Sequence, residues 1–195
     1  MCSKDVSYRK EQYKMVKWAK PDNGNIKINV DAGFCPKLKE STAGVVVRDH
    51  LGSVILAASM VGNNCFGAEE AEAKAIYEGL KLAVEHNLSP NTLESDCLGA
   101  VTMISSSTQS SSRIWHIYKD ISMLRNVLPN CAITYVGRSC NGVAHDLARL
   151  ARKNGCSNVW LSPVPTSIRG MCNQVPTSIR EMCNQDSVTD ILRAD

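Results

Sequence analysis

The stretch IKINVDAGF, residues 26–34, decides how the rest of the chain is interpreted. Apolar and polar residues alternate along it, which indicates a half-buried β-strand. One face carries Ile26, Ile28, Val30, Ala32 and Phe34, and the other carries Lys27, Asn29 and Asp31. Taken alone, Asp31 fits a solvent-facing position. The alternative is that Asp31 is one of several carboxylates that converge on a metal ion.

Two further strand patterns follow this segment. The runs TAGVVVRDH (42–50) and SVILAASM (53–60) are rich in β-branched and other apolar residues, as strands are. Asp49 and Gly52 stand between them, where a tight turn favours these residue types. We therefore expect three antiparallel strands in succession.

The segments after residue 60 alternate between helix and strand patterns. Predicted helices cover residues 67–87, 97–105, 113–128 and 141–155, and predicted strands cover residues 91–96 and 131–138. Gly155 is placed to end the last helix. The order βββαβααβα predicts an α/β fold in which three antiparallel and two parallel strands form a five-stranded mixed sheet with helices on both faces.

Charge divides the chain into three parts. Residues 1–21 carry a net charge of +4 and are predicted to be a flexible basic arm, whereas residues 22–155, the predicted folded domain, are neutral overall. Residues 156–195 carry a net charge of −1 and are predicted to be a disordered tail. Because the domain itself is not basic, any nucleic-acid binding must depend on a local patch or on the arm.

The predicted tail contains a duplication. VPTSIRGMCNQ (164–174) is followed directly by VPTSIREMCNQ (175–185), and the copies differ only at Gly170 and Glu181. Two copies of 11 residues are too few for a repeat fold. A duplication within a disordered tail is the interpretation we favour over a functional repeat.

The nine cysteines are scattered singly, which argues for reduced thiols and against a cysteine-rich zinc site. No stretch of about 18 apolar residues is present, and the first 21 residues lack the apolar core of a secretory signal. We expect an intracellular protein of the nucleus or cytoplasm that does not bind membranes and is a monomer.

Four positions could meet in a common site, and they are Asp31, Glu72, Asp96 and one of His145 and Asp146. Glu72 falls on the same face of its predicted helix as Ile76 and Leu80, where an unpaired carboxylate would be costly to bury. Asp96 ends a predicted strand at the edge where ligands usually bind in α/β sheets, although it could equally cap the following helix. His145 and Asp146 both flank the apolar stripe of the last helix, so periodicity does not choose between them.

Five segments carry a family resemblance through their order and spacing: WAKPDNGNIKINVDAGF, AGVVVRDHLGSVI, AEAKAIYEGLKLA, LESDCLGAV and VGRSCNGVAHDLARLA. Together they resemble the type 1 ribonuclease H fold over residues 18–154. The resemblance is greatest to the plant-type, reverse-transcriptase-associated ribonuclease-H-like domains found in plant proteins and plant retroelements.

The resemblance implies a site and an activity. The metal-binding carboxylates of the family would be Asp31, Glu72 and Asp96, the fourth active-site position would be His145, and Asp146 is the neighbouring alternative. Two Mg²⁺ ions, or Mn²⁺, would serve hydrolysis of the RNA strand of an RNA:DNA hybrid. The phosphate contacts would come from Lys37, Lys39 and Arg138.

The chain also departs from the family pattern. The first strand has Asp-Ala-Gly where Asp-Gly-Ala is usual, the loop before the last helix lacks a catalytic His, and the long basic helical insertion is missing. Two alternatives to an active nuclease therefore stay open. One is a nucleic-acid-binding module, domesticated from a retroelement, that does not cleave, and the other is a protein-interaction domain on the same fold.

Overall fold

The computed structural model describes residues 18–106 and 113–173. Its strands are β1 (Ile26–Cys35), β2 (Glu40–Asp49), β3 (Val54–Gly62), β4 (Thr92–Ser95), β5 (Ala132–Tyr135) and β6 (Asn158–Leu161). Its α-helices are α1 (Ala68–Glu85), α2 (Leu98–Ser105), α3 (Arg113–Val127), α4 (Gly142–Asn154) and α5 (Thr166–Asn173), and a 3₁₀ turn covers Arg138–Cys140. Most of the basic arm, most of the Ser-rich segment 105–112 and the second copy of the duplication lie outside the described residues.

The strands form one sheet in the order β5-β4-β1-β2-β3-β6. As predicted, β1, β2 and β3 are antiparallel to one another, whereas β4 pairs parallel with β1 and β5 pairs parallel with β4. The turn between β2 and β3 also follows the prediction, because the Asp49 side chain accepts hydrogen bonds from the amides of Leu51 and Ser53, and Gly52 has a positive φ of 86°. The predicted α/β class with a mixed sheet is confirmed.

The number of strands is a correction. The sheet has six strands rather than five, because β6 adds antiparallel to β3. Strand β6 and helix α5 lie in the segment 156–195, so the prediction of disorder is wrong for these two elements. Strand β6 is held by pairing with β3, which is distant in sequence, so no local pattern indicates it.

Helices cover both faces of the sheet. On one face, α1 and α3 enclose the larger core, which includes Ile28 and Val30 of β1 together with Ile76, Leu80 and Ile121. On the other face, α4 and the segment around α5 cover a smaller core. No helix in the described part of the chain is long and apolar enough to cross a membrane.

Helix α4 lies directly against β2 at Gly44. A Cβ at this position would overlap the carbonyl oxygen of Ala144 and would lie 2.5 Å from the amide nitrogen of Ala148. Any larger residue would therefore displace the helix. Since Gly44 pairs with Asp31 across the β1–β2 ladder, this close approach also sets how near α4 lies to Asp31.

The polar face of β1 is buried rather than solvated. Lys27, Asn29 and Asp31 are all less than 10% exposed, with Asp31 at 3%. The Asn29 side chain accepts a 2.8 Å hydrogen bond from Arg48 and donates one of 2.8 Å to Glu94. The solvent-facing alternative for Asp31 is therefore wrong.

Trp18 completes this buried polar layer from the end of the predicted arm. Its indole Nε1 donates a 3.3 Å hydrogen bond to the side-chain Oδ1 atom of Asn29, and the centroid of its ring lies 3.6 Å from the Arg48 guanidinium carbon. Lys27 pairs with Glu94 at 2.7 Å and donates to the carbonyl oxygen of Ala19 at 2.9 Å. Residues 18 and 19 are thus bound to the sheet.

Candidate active site

Two of the predicted acids lie on neighbouring strands, Asp31 within β1 and Asp96 directly after β4. Val30 of β1 pairs with Ser95 of β4 in the parallel ladder, and Asp31 and Asp96 are the residues that come next. Because the two strands run in the same direction, both carboxylates lie at the same edge of the sheet. The alternative that Asp96 caps helix α2 is not supported, since the N-cap residue is Cys97 and no side chain caps this helix.

Glu72 brings the third carboxylate from the second turn of α1. One carboxylate oxygen from each of Asp31, Glu72 and Asp96 lies within 4.8 Å of the others. The Oε2 atom of Glu72 is buried and has no hydrogen-bond partner among the described residues. A buried, unpartnered carboxylate oxygen is costly unless a cation or a proton satisfies it.

The carboxylates oppose one another's ionisation. Burial raises the pKa of Asp31 to about 6, an effect that the His145 hydrogen bond opposes and the Asp96 carboxylate reinforces. Burial and the charges of Asp31 and Asp96 raise the pKa of Glu72 to about 8, although Arg138 acts in the opposite direction. A bound divalent cation would favour the ionised forms of both groups.

The structure shows which of His145 and Asp146 lies at the carboxylate cluster. The Nδ1 atom of His145 lies 2.8 Å from Oδ2 of Asp31, so His145 belongs to the cluster. Asp146 faces away from it and pairs with Arg149 along the same helix at 3.5 Å. The imidazole, rather than the neighbouring carboxylate, therefore lies beside the three acids.

Asn141 is a site residue that sequence reasoning did not identify. It is 1% exposed, and its Nδ2 atom donates to the carbonyl oxygen of Val30 at 2.8 Å and to Oδ1 of Asp96 at 3.1 Å. An Asn before a helix normally indicates an N-cap, yet this side chain makes no capping hydrogen bond. Asn141 instead holds Asp96 against β1.

The residues predicted to bind phosphate, Lys37, Lys39 and Arg138, are all exposed. For Lys39 and Arg138, an interaction with a neighbouring residue shows where the side chain lies. Arg138 lies near enough to the cluster to lower the pKa of Glu72. Lys39 and Arg113 lie on the ring of Phe66, at 5.2 Å and 4.1 Å from its centroid, and this ring is 49% exposed. Lys37 lies in the same β1–β2 turn as Lys39, with no such contact described.

The donor set fits a hard divalent cation. Carboxylate oxygens are the ligands that Mg²⁺ and Mn²⁺ prefer, and the cluster supplies one from each of three residues within 4.8 Å. A cation bound here would also satisfy the unpartnered Oε2 atom of Glu72 and offset the burial and mutual repulsion that raise the pKa values of Asp31 and Glu72.

The chain is similar to a family and to several solved structures. A family model described as "Reverse transcriptase-like" matches residues 29–151. No curated protein matches the chain. The ribonuclease H1 of Halobacterium salinarum has 17% identity and a TM-score of 0.61, and the match covers 67% of this chain and 99% of that one.

Two further structures have the same fold. The N-terminal ribonuclease H domain of a Mycobacterium tuberculosis protein, solved as a fusion with maltose-binding protein, has 20% identity and a TM-score of 0.59, with 67% of this chain and 94% of that chain covered. The metagenomic LC11 ribonuclease H1, solved in complex with an RNA/DNA hybrid, has 19% identity and a TM-score of 0.59, with 67% and 99% covered. The fold is therefore ribonuclease-H-like.

Proposed function

This chain belongs to the reverse transcriptase-like family, and from that membership and its site we propose that it is a divalent-metal-dependent endonuclease that hydrolyses the RNA strand of RNA:DNA hybrids. The observation that carries the proposal is the cluster of Asp31, Glu72 and Asp96, whose carboxylate oxygens lie within 4.8 Å of one another at one edge of the sheet. These oxygens are what would hold the cations that metal-dependent phosphodiester hydrolysis uses.

Asp31, Glu72 and Asp96 would hold two Mg²⁺ ions, or Mn²⁺ in their place. When bound, such ions provide a nucleophile at neutral pH and stabilise charge on the attacking and leaving oxygens. The residues contribute by staying ionised and fixed. Asn141 fixes Asp96 through its 3.1 Å hydrogen bond, and the 2.8 Å contact with His145 fixes Asp31.

His145 has a second role in the proposal. Its Nδ1 atom contacts Asp31, which leaves Nε2 as the other ring nitrogen, and the side chain is 37% exposed. A partly exposed imidazole beside the cluster is placed to accept or deliver a proton during the reaction. We therefore expect substitution of His145 to slow the proton-transfer step of the reaction.

The substrate would be held by its backbone. Lys39 and Arg113, both stacked on the exposed ring of Phe66, stand near the start of the helix that carries Glu72. The ring keeps the two cations side by side, so that they could contact phosphates of the hybrid without reading its sequence. Arg138 would add a contact beside the carboxylates, and Lys37 one beside Lys39.

A cleavage assay tests the proposal. A hybrid with an end-labelled RNA strand, incubated with the purified full chain and Mg²⁺ or Mn²⁺, should give internal RNA fragments with 5′-phosphate ends. Asp31→Asn should abolish cleavage, whereas the same change at Asp146 should retain it, because Asp146 pairs with Arg149 outside the cluster. Absence of cleavage under conditions where a known ribonuclease H cuts the hybrid refutes the proposal.

A module that binds hybrids without cutting them is the second candidate. The imidazole of His145 beside Asp31, where a fourth carboxylate would add negative charge for the cations, favours it. This candidate predicts hybrid binding that strengthens as salt is lowered. Asp31→Asn would leave that binding unchanged, and no turnover would occur.

A further inference from the structure

The smaller core holds the first copy of the duplicated segment. Val164 and Ile168 of that copy are 4% and 5% exposed, and they belong to the apolar cluster between α4 and the sheet. Their binding surface, here named the α4 groove, is formed by Val46, Ala57, Val143 and Leu147, with Val54, Leu150 and Trp160 packed at its margin. The groove is therefore a site that holds two apolar residues four positions apart, Val164 just before α5 and Ile168 within it.

The chain contains a second segment with the same two residues. Residues 175–185 repeat residues 164–174 with a single difference, so Val175 and Ile179 stand where Val164 and Ile168 stand in the first copy. The same spacing of four residues separates the two apolar side chains in both copies. One groove thus has two ligands of nearly identical sequence on the same chain.

We propose that the α4 groove binds either copy, and that residues 175–185 replace residues 164–174 in a fraction of the molecules. The exchange needs no change in the sheet or in α4. Only the length of chain between Leu161, where β6 ends, and the bound copy changes.

Two opposing terms set the ratio of the two states. The first copy is joined to β6 by two residues, whereas the second would be joined by thirteen, and closing the longer loop is disfavoured about 15-fold. Against this, Gly170 lies within α5, and the second copy has Glu181 at the equivalent position, which favours its helix about three- to fivefold. The first copy is then preferred about fourfold, so that the second occupies the groove in roughly one molecule in five.

Single and double substitutions in the full chain test the exchange. Ile168→Ala weakens the first copy, Ile179→Ala weakens the second, and Ser167→Ala, at an exposed position of the first copy, is the control. The folding equilibrium constant is measured by urea denaturation. Hydrogen–deuterium exchange with mass spectrometry follows each copy separately, because Gly170 and Glu181 give the two peptides different masses.

The exchange predicts strong non-additivity. We expect Ile179→Ala and Ser167→Ala to leave the folding constant nearly unchanged, and Ile168→Ala to lower it only about fivefold while amide protection moves to residues 175–185. The double variant should lower it more than about 30-fold, as the loss of a buried Ile side chain does. If Ile168→Ala is as damaging as the double variant and residues 175–185 gain no protection, the inference is overturned. It is equally overturned if the double variant is as stable as the unchanged chain.

Discussion

Glu72 provides a test of the site that does not depend on enzymatic activity. In the metal-free protein, burial and the charges of Asp31 and Asp96 raise the pKa of this carboxyl from 4.5 to about 8. Between these two values the folded protein binds more protons than the unfolded chain does. The contribution of Glu72 to stability is therefore present at low pH and is lost as the pH rises towards 8.

The size of the effect follows from the pKa change. Each pKa unit corresponds to about 1.4 kcal/mol, and most of the rise from 4.5 to about 8 lies between pH 5 and pH 8. We expect the free energy of unfolding to fall by about 3 kcal/mol over this interval because of Glu72 alone. Asp31, whose pKa is about 6, adds a loss of the same sign that is complete at a lower pH.

Glu72→Gln removes the charge and keeps the shape of the side chain. The free energy of unfolding is measured by urea denaturation in buffer with EDTA, at pH 5 and at pH 8. The advantage of the variant over the unchanged chain should be larger at pH 8 than at pH 5, by about 2 to 3 kcal/mol. The same substitution at Glu85, which is half exposed near the end of the same helix, is the control and should have little effect.

Magnesium should reverse the order of stability. A divalent cation favours the ionised carboxylates, so Mg²⁺ should stabilise the unchanged chain more at pH 8 than at pH 5 and should stabilise Glu72→Gln much less. If the unchanged chain and Glu72→Gln show the same pH dependence in EDTA, Glu72 is not held neutral by its surroundings. The electrostatic description of the cluster would then be wrong.

Substitutions at His145, Gly44 and Trp18, each with a matched comparison variant, test other parts of the structure. His145→Ala removes the 2.8 Å contact with Asp31 and should weaken Mn²⁺ binding about tenfold, whereas His145→Asp should strengthen it. Calorimetry measures both affinities, and equal values would contradict the placement of His145. Gly44→Ala should destabilise the protein by about 2 kcal/mol or more, because the added methyl group meets the backbone of α4. Gly99→Ala should not, because open space surrounds that position. Similar melting temperatures for the two variants would contradict the close packing at Gly44. Trp18→Ala should lower the free energy of unfolding, measured by chemical denaturation, by about 2 kcal/mol. Trp18→Phe should lower it less, because Phe keeps a ring against Arg48. An unchanged free energy of unfolding in both variants would show that Trp18 does not stabilise the sheet.

The strands and helices with strong periodicity could be predicted from sequence. The alternation in residues 26–34 and the β-branched runs after it gave the antiparallel strands β1 to β3, and the helical spacing of apolar residues gave α1, α3 and α4. Gly155 does end α4 with a φ of 63° in the left-handed region. These features are local, so a single sequence contains the information for them.

Features that depend on distant partners could not be predicted in the same way. The polar residues of β1 appeared exposed, but Trp18, Arg48 and Glu94 bury them through contacts from other parts of the chain. Strand β6 was not predicted because it is stabilised by pairing with β3, which precedes it by about a hundred residues.

The site was predicted partly from chemistry and partly from resemblance. A carboxylate on the apolar face of a helix and another at a strand end could be singled out from the sequence, whereas their grouping with Asp31 came from the family resemblance. Asn141 was missed because its position before a helix already had an ordinary explanation. Only the coordinates show that its side chain reaches Asp96 and the backbone of β1.

The contact between Asp31 and His145 joins residues that are 114 positions apart. A chain that is still being synthesised cannot make this contact until nearly all of the domain has left the ribosome. Nascent and truncated chains that end before α4 lack the Asn141 and His145 contacts that fix the carboxylates, so the complete cluster forms late and only in finished molecules. Closing so long a loop also makes this part of the structure slow to form.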